Sequence, residues 1–422
     1  MGSVVDSSLG KLQVIVVGAG LCGLSMAISV SLAGHQVSVY ETHSGTHEFG
    51  AGLQSSPNGT RIYEKWGLAA SLKSVATSPR VFQIQRFDGT ILAQRKHYDV
   101  EVIGRYGYPL WTLHRVDLQA ALLRRATELG VEITYSSNVV NVNYEGPSIE
   151  LQNGSKRHGD LVVIADGVWS KLRSIVLGQQ IDAQPTGDIA YRIVLDRLQI
   201  EDEEILMWMS EARVQVWVGP GAHAVAYSVR GGTQMNLVLL TTEELPGKES
   251  RVKGNVAELQ LRFQGWDPLL TKVLGYVKEV DKWRLMHVPA LPTWRSENGR
   301  VVLGGDCAHA ILPYMAQGLN MALEDAATLG SLMGHVRTRD QLLKATTMYE
   351  NLRTGRVSRL LEETKVVGNE FHLEFGETQK MRDAHLRESF NDHDWAYPQA
   401  QPWIWSYNVF DVVEKAYDDD SY

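Results

Sequence analysis

The sequence predicts an α/β fold in which a parallel sheet flanked by helices is interleaved with a second, mostly antiparallel sheet and followed by C-terminal helices. Three observations predict it. The chain opens on a β-like apolar run, 12–17, that passes directly into Gly18-Ala19-Gly20-Leu21-Cys22-Gly23 and an apolar helix ending at Gly34. Two later continuous apolar runs, 161–165 and 300–304, have the pattern of parallel strands buried on both faces. Between about 185 and 290 the runs become short and alternating, as in 214–218 and 235–240, which is the mark of an antiparallel sheet.

The first of these elements also carries chemistry. The glycine turn and helix lead into a second strand, 37–40, that ends on Glu41. Strand, glycine turn, helix, strand and acid in that order are what a bound dinucleotide needs, so this half is Rossmann-type. Gly18 and Gly20 let the backbone turn beside a pyrophosphate, and Gly23 lets the helix pack close to the strand. The helix N-terminus offers its unpaired N–H groups to the phosphates. Glu41 is placed to accept hydrogen bonds from a free ribose 2′-OH, which favours FAD or NAD over NADP in this site.

At 422 residues, 44% of them hydrophobic, the chain suggests two intimately joined domains. A net charge of -8 gives no basic face for nucleic acid, and the run Asp418-Asp419-Asp420 reads as a solvated tail. No apolar run reaches the roughly 18 residues of a membrane span. The first eleven residues lack the basic and apolar parts of a signal peptide, which places the protein in the cytoplasm. Cys22 and Cys307, the two cysteines of the chain, are too few for a disulfide framework and read as buried fillers.

Further along, 48–54 is a second glycine-dense loop, followed by a short helix carrying Tyr63 and Trp66. Residues 79–94 alternate like antiparallel strands, and a helix begins near Leu113-His114-Arg115. A helix-rich piece occupies 254–280, and 319–333 reads as a helix. Residues 339–372 form a long polar helix with apolar positions at Leu342, Leu343, Met348, Leu352, Val357 and Leu361. The last thirty residues, with Trp395, Trp403, Trp405 and Tyr407, are too aromatic to be wholly disordered and are expected on the body of the protein. These elements group as a nucleotide-binding domain in three segments (1–80, 111–184, 291–335), a substrate domain in two (81–110, 185–290) and a C-terminal part (336–422).

A second motif, Ile164-Ala165-Asp166-Gly167, ends a buried strand, and a third runs from Gly299 through Gly304-Gly305-Asp306 to Pro313 and Ala316-Gln317-Gly318-Leu319-Asn320. With these three motifs in this order, residues 11 to about 365 resemble the class A flavoprotein aromatic hydroxylases, of the para-hydroxybenzoate and salicylate hydroxylase type. The fungal branch acting on secondary metabolites looks nearest. The resemblance implies FAD as the resident cofactor, NADPH or NADH as co-substrate, and O2. It implies one oxygen atom transferred through a flavin C4a-hydroperoxide to an electron-rich aromatic small molecule such as a phenol or indole. A catabolic hydroxylase of aromatic acids, of the salicylate type, is the alternative.

An extended FAD needs a second carboxylate for its ribityl and pyrophosphate region, which Asp306 supplies. The helix starting at Gly318, Leu319 and Asn320 turns its positive end to the N1–C2=O edge of the isoalloxazine. By resemblance, Arg115 contacts the diphosphate or ribityl chain, and Ala51 and Gly52 approach the flavin. Asp166 belongs to a motif tied to both FAD and NAD(P)H, and Pro313 sits near the reactive face.

For the substrate, alternation along Ile189-Ala190-Tyr191-Arg192-Ile193-Val194 puts Arg192 with Ala190 and Val194 on one face. Arg192 there either holds a phenolate or carboxylate or forms an interdomain salt bridge. Tyr227 belongs to the same sheet, as pocket or as core, and Trp217 and Trp208 are candidate pocket walls, although an aromatic in a strand more often packs in the core. His309 reads as a packed, hydrogen-bonding residue. Flavin-dependent halogenation needs a Trp-x-Trp-x-Ile-Pro motif near mid-chain, which is absent. A non-catalytic dinucleotide-binding module leaves Asp166 and Asp306 unexplained.

Overall fold

A computed structural model describes residues 10–45, 51–245, 247, 249–389 and 401–419. Residues 48–50 of the glycine-dense loop, Trp395 and Asp420 lie outside them.

The continuous apolar runs form an all-parallel five-stranded sheet, ordered Val301–Leu303, Leu161–Ile164, Gln13–Val17, Gln36–Tyr40 and Glu132–Thr134. Such strands need cover on both faces. One cover is the helix Leu21–Leu32, whose residues Leu21 to Val30 are nearly all buried. Behind it lies the helix Gly318–Met333. A Cβ on Gly330 would fall 1.9 Å from Ser29 Oγ, so these two helices touch almost backbone to backbone.

The alternating runs form an eight-stranded sheet, ordered Arg251–Lys253, Asp281–His287, Gln184–Asp196, Gln234–Thr242, Ala222–Val229, Arg213–Gly219, Val81–Arg86 and Ile91–Lys96. All pairs are antiparallel except Arg213–Gly219 with Val81–Arg86. One face is closed by the helices Glu203–Ser210, Val256–Arg262 and Pro268–Leu274, and Ile189, Tyr191 and Ile193 point into that core. The other face, carrying Ala190 and Arg192, looks towards the nucleotide-binding half.

Both candidate tryptophans pack in the core, and the strand placement of one is corrected. Trp208 lies on the helix Glu203–Ser210 and not in a strand, because Asp202 caps that helix by accepting from Ile205 N–H while Glu203 and Glu204 favour its positive end. Trp217 is in a strand but packs beside Trp208, at 6.2 Å between ring centroids, in the core on the far side of the sheet from the cavity.

The long helix spans Leu342–Phe371 and is entered through a capping box of Thr338 and Gln341. Its buried stripe includes Leu342, Met348 and Val357, whereas Leu343, expected in the stripe, is 44% exposed. Beyond it, the helices Gln401–Trp405 and Val409–Asp419 pack on the body through Ile404, Trp405, Val409 and Val413, and Asp418 and Asp419 end the last of them. Arg356 fixes this segment: it pairs with Glu324 at 2.7 Å, donates to the carbonyls of Trp403 and Ile404, and stacks 3.8 Å from the Tyr407 ring centroid. Among the described residues no helix is long and apolar enough to cross a membrane.

Candidate active site

The glycine turn divides its work as its spacing suggests. Gly18 has φ +100° and a Cβ there would sit 2.5 Å from the Ala165 carbonyl oxygen; one on Gly23 would sit 1.9 Å from that of Gly18. Those two positions are closed by the protein itself. A Cβ on Gly20 would meet nothing within 4 Å, and Gly20 lines a cavity of about 310 Å³. The room there is left for a ligand.

That cavity gathers ten of the residues singled out in the sequence: Gly20, Ala51, Gly52, Arg115, Arg192, Tyr227, Asp306, Pro313, Gly318 and Leu319. Arg115 opens the helix Arg115–Glu128, and its N–H donates to the Ala51 carbonyl at 2.9 Å, which ties it to the strand Gly52–Ser55. Asp306 follows the strand Val301–Leu303. Enclosure by protein raises its carboxyl above the usual carboxylate range, against the pull of His309, Arg115 and Arg192.

The helix Gly318–Met333 points its N-terminus into the cavity with no side-chain cap and no acid in its first turn, so its orphan N–H groups are available to an anionic edge. The turn before it is held open by Ala316, whose φ of +51° is strained for a residue with a Cβ.

Five candidates stand off the cavity wall. Gly18 and Gly23 shape the turn. Burial raises the Glu41 carboxyl, but bonds from the N–H groups of His43 and Ala19 (2.7 Å) and from the His43 ring outweigh it and leave it below the usual range. Asp166 sits between the wall residues Ala165 and Gly167, and its Oδ1 is buried with no partner. Asn320 is fully buried. Its side chain accepts from Ser56 N–H and donates to the carbonyls of Gln54 and Ala316, so it locks the helix start to the strand Gly52–Ser55 without reaching the cavity.

The sheet forms the opposite wall. Gly52 N–H donates to Asn236 Oδ1 at 2.6 Å, and a Cβ on Gly52 would be 2.4 Å from the Tyr227 ring, so that strand lies flat on the sheet. Burial pushes the Tyr227 phenol well up, and it stays protonated. His223, which the sequence reading passed over, shares the cavity face with Tyr227 and is 1% exposed. Its Nδ1 lies 2.7 Å from Nε2 of His372, just past the end of the long helix, and burial pushes its pKa well down. The alternation that selects Tyr227 also selects residue 223, so the signal was present; nothing in the sequence pairs it with His372.

These features fit an extended flavin dinucleotide: an open cradle at Gly20, an orphaned Asp166 oxygen, the Asp306 carboxylate and an uncapped helix N-terminus. Residues 11–364 match the FAD binding domain family. The chain belongs to this family. The flavoprotein is 40% identical over 99% of both chains to FAD-dependent monooxygenase OpS4 of Beauveria bassiana (strain ARSEF 2860). It is 31% identical to 3-hydroxybenzoate 6-hydroxylase of Polaromonas naphthalenivorans (strain CJ2), covering 96% of this chain and 98% of that one. Its fold is that of a salicylate hydroxylase solved with substrate, with a TM-score of 0.79 at 22% identity, covering 96% and 98%. It is a flavoprotein monooxygenase with FAD as its cofactor.

Replacing Asp306 by alanine is expected to weaken FAD by about 1–3 kcal/mol for each donor left unpaired. Glu41→Ala is expected to cost less, because Glu41 already spends both oxygens on Ala19 and His43. Flavin titration of the two apoproteins checks this, and unchanged affinity in Asp306→Ala would remove Asp306 from the cofactor site.

Proposed function

We propose that this monooxygenase hydroxylates an electron-rich aromatic small molecule carrying a phenol-type hydroxyl, using O2 and NADPH or NADH, in secondary metabolism. The observation that carries the reading is one cavity with a nucleotide-type wall on one side and Arg192, His223 and Tyr227 on the other. The hydroxybenzoate named for one relative and the fungal origin of another support it. Two free thiols suit the reducing cytoplasm.

FAD, held along the Gly20 turn, Asp306 and the N-terminus of the helix Gly318–Met333 and reduced by NAD(P)H, would activate O2, one atom of which would enter the ring while the other leaves as water. The chain's own residues do the rest. Arg192 provides a fixed cation for a phenolate or carboxylate on the substrate. His223 is neutral at physiological pH and takes the phenolic proton on Nε2, while His372 holds its Nδ1 and so its tautomer. Tyr227, kept protonated, orients the ring oxygen. The apolar wall of Ala190, Val225, Val238 and Leu240 excludes water from the reacting face.

The test is a panel of phenols, aromatic acids and indoles, scored for faster NAD(P)H oxidation and for product carrying one oxygen atom from labelled O2. A panel in which nothing accelerates oxidation removes the reading. The role of His223 has its own signature. Because burial depresses its pKa, the basic form persists through neutrality and is lost only on the acid side of the ordinary value of 6.5. Product formation is therefore expected to stay flat from about pH 8 to 6.5 and to fall only below that. An acid limb centred at 6.5 or higher would exclude His223 as the base.

A further inference from the structure

A second, smaller space opens off the catalytic cavity. It measures about 100 Å³, and Gln54, Val225, Pro313 and Ala316 line both spaces. Apart from Gln317, its remaining walls are apolar or aromatic: Phe82, Ile84 and Val216 come from the large sheet, Tyr98 from the helix Tyr98–Tyr106, and Ile404 and Trp405 from the helix Gln401–Trp405. Among the described residues no Asp, Glu, Lys, Arg or His lines it. The main cavity, by contrast, is lined by Asp306, Arg115, Arg192 and His223. A ligand that spans both therefore meets charge at one end and none at the other.

The wall made by Ile404 and Trp405 lies beyond residues 11–364, the part that matches the family. It is nonetheless firmly built. Trp405 is 8% and Ile404 1% exposed, and Trp405 packs edge-on against Tyr106 at 5.4 Å. The carbonyl of Ile404 accepts from Arg356 at 3.0 Å, and Arg356 is anchored on the fully buried Glu324. A group entering the chamber thus meets a fixed, largely apolar surface, and a charged group there would lose its hydration with no opposite charge in the lining to pair with.

We propose that this chamber is the subsite for an apolar substituent on the substrate ring, and that the helix Gln401–Trp405 sets the length of substituent accepted. The substrate class is then an electron-rich aromatic with its polar group towards Arg192 and His223 and an uncharged hydrocarbon substituent away from them. The inference rests on the monooxygenase reading for the placement of the ring, but its test does not need turnover.

Phenol, 4-methylphenol, 4-propylphenol and 4-pentylphenol are titrated into the oxidised holoenzyme, with binding read from the flavin absorbance. Each methylene that enters the chamber is expected to tighten binding about fourfold until the space is full. Trp405→Ala opens the wall and moves the limit to longer chains. Val216→Phe fills the space and costs 4-pentylphenol about tenfold relative to phenol. Only ratios within one preparation are compared, so partial loss of folded protein cancels. If Trp405→Ala yields no yellow protein, Trp405→Phe and Ile404→Val carry the same comparison with smaller shifts. Affinities that do not rise with chain length, or one length series shared by the parent and both variants, would overturn the proposal. Failure of the aromatic panel to stimulate NAD(P)H oxidation would strike the monooxygenase reading and leave this length series standing.

Discussion

Arg192→Ala is expected to give a folded yellow protein that still accepts hydride from NAD(P)H but forms roughly 10²–10³-fold less hydroxylated product, the usual cost of removing one positioned charge stabiliser. The expectation follows from where the residue stands. On the strand Gln184–Asp196, Tyr191 and Ile193 are buried in the core, and the residue between them is forced onto the cavity face. There the guanidinium lies 5.1 Å from the Trp283 ring centroid, in the same cavity wall that holds Tyr227. Its charge acts on both sides of the cavity, opposing in part the burial that raises the Asp306 carboxyl and the Tyr227 phenol. Neither the glycine turn nor the uncapped helix N-terminus is built through it, so flavin retention and product formation are expected to separate. Oxygen consumed without a correctly held ring leaves as hydrogen peroxide. Product per NAD(P)H, with peroxide assayed in parallel, is the measurement. Lysine restores part of the coupling if charge suffices and little if the planar fork is needed. Parental coupling and rate in the alanine variant would return Arg192 to a structural role.

The readable part of this site lay where one periodicity governed one element. The glycine turn could be read because Gly18 and Gly23 each answer a local steric demand of the protein, while Gly20 faces open space. Arg192 could be read because a strand has only two faces. The same rule selects His223, two alternations from Tyr227. Asn320 was placed with Gly318 and Leu319 because a helix start offers its N–H groups together; its side chain, however, leaves the helix towards Ser56 and Gln54. Trp208 was misassigned because a helix of eight residues between strands gives little more than two turns of periodicity, and the Asp202-Glu203-Glu204 cap was the stronger signal. The partnership of His223 with His372, at a separation of 149 residues, depends on how two elements dock, and no local pattern encodes it.

The same applies to Glu324, Asp325 and Arg353, from which the largest stability effect is expected. All three side chains are fully buried. Arg353 donates through Nη1 to Glu324 at 2.6 Å, through Nε to Asp325 at 2.8 Å and through Nη2 to the Met321 carbonyl. Burial alone would raise the Asp325 carboxyl, but His309 and Arg353 together hold it down at about 2. Arg353→Leu leaves two buried carboxylates with one arginine and one histidine between them, and is expected to destabilise the fold by about 3–5 kcal/mol. The sign with pH follows from linkage. A carboxyl depressed in the folded state contributes stability above its unfolded value of 3.8, and that stability is lost as pH falls towards 2. With Arg353 gone the folded-state pKa of Asp325 rises towards the unfolded value, so this contribution shrinks and the pH window over which it is lost narrows. The damage also reaches the cofactor, because Asp325 accepts from Gly305 N–H at 2.9 Å and Gly305 positions Asp306. Urea unfolding of the holoenzyme at neutral and acid pH, with free flavin followed by fluorescence, measures both effects. FAD release at urea concentrations below the unfolding midpoint is expected in the variant alone. An unfolding free energy within about 1 kcal/mol of the parent would mean that leucine packing replaces the ion pair, as buried pairs sometimes allow, and that the cluster does not hold the Asp306 turn in place.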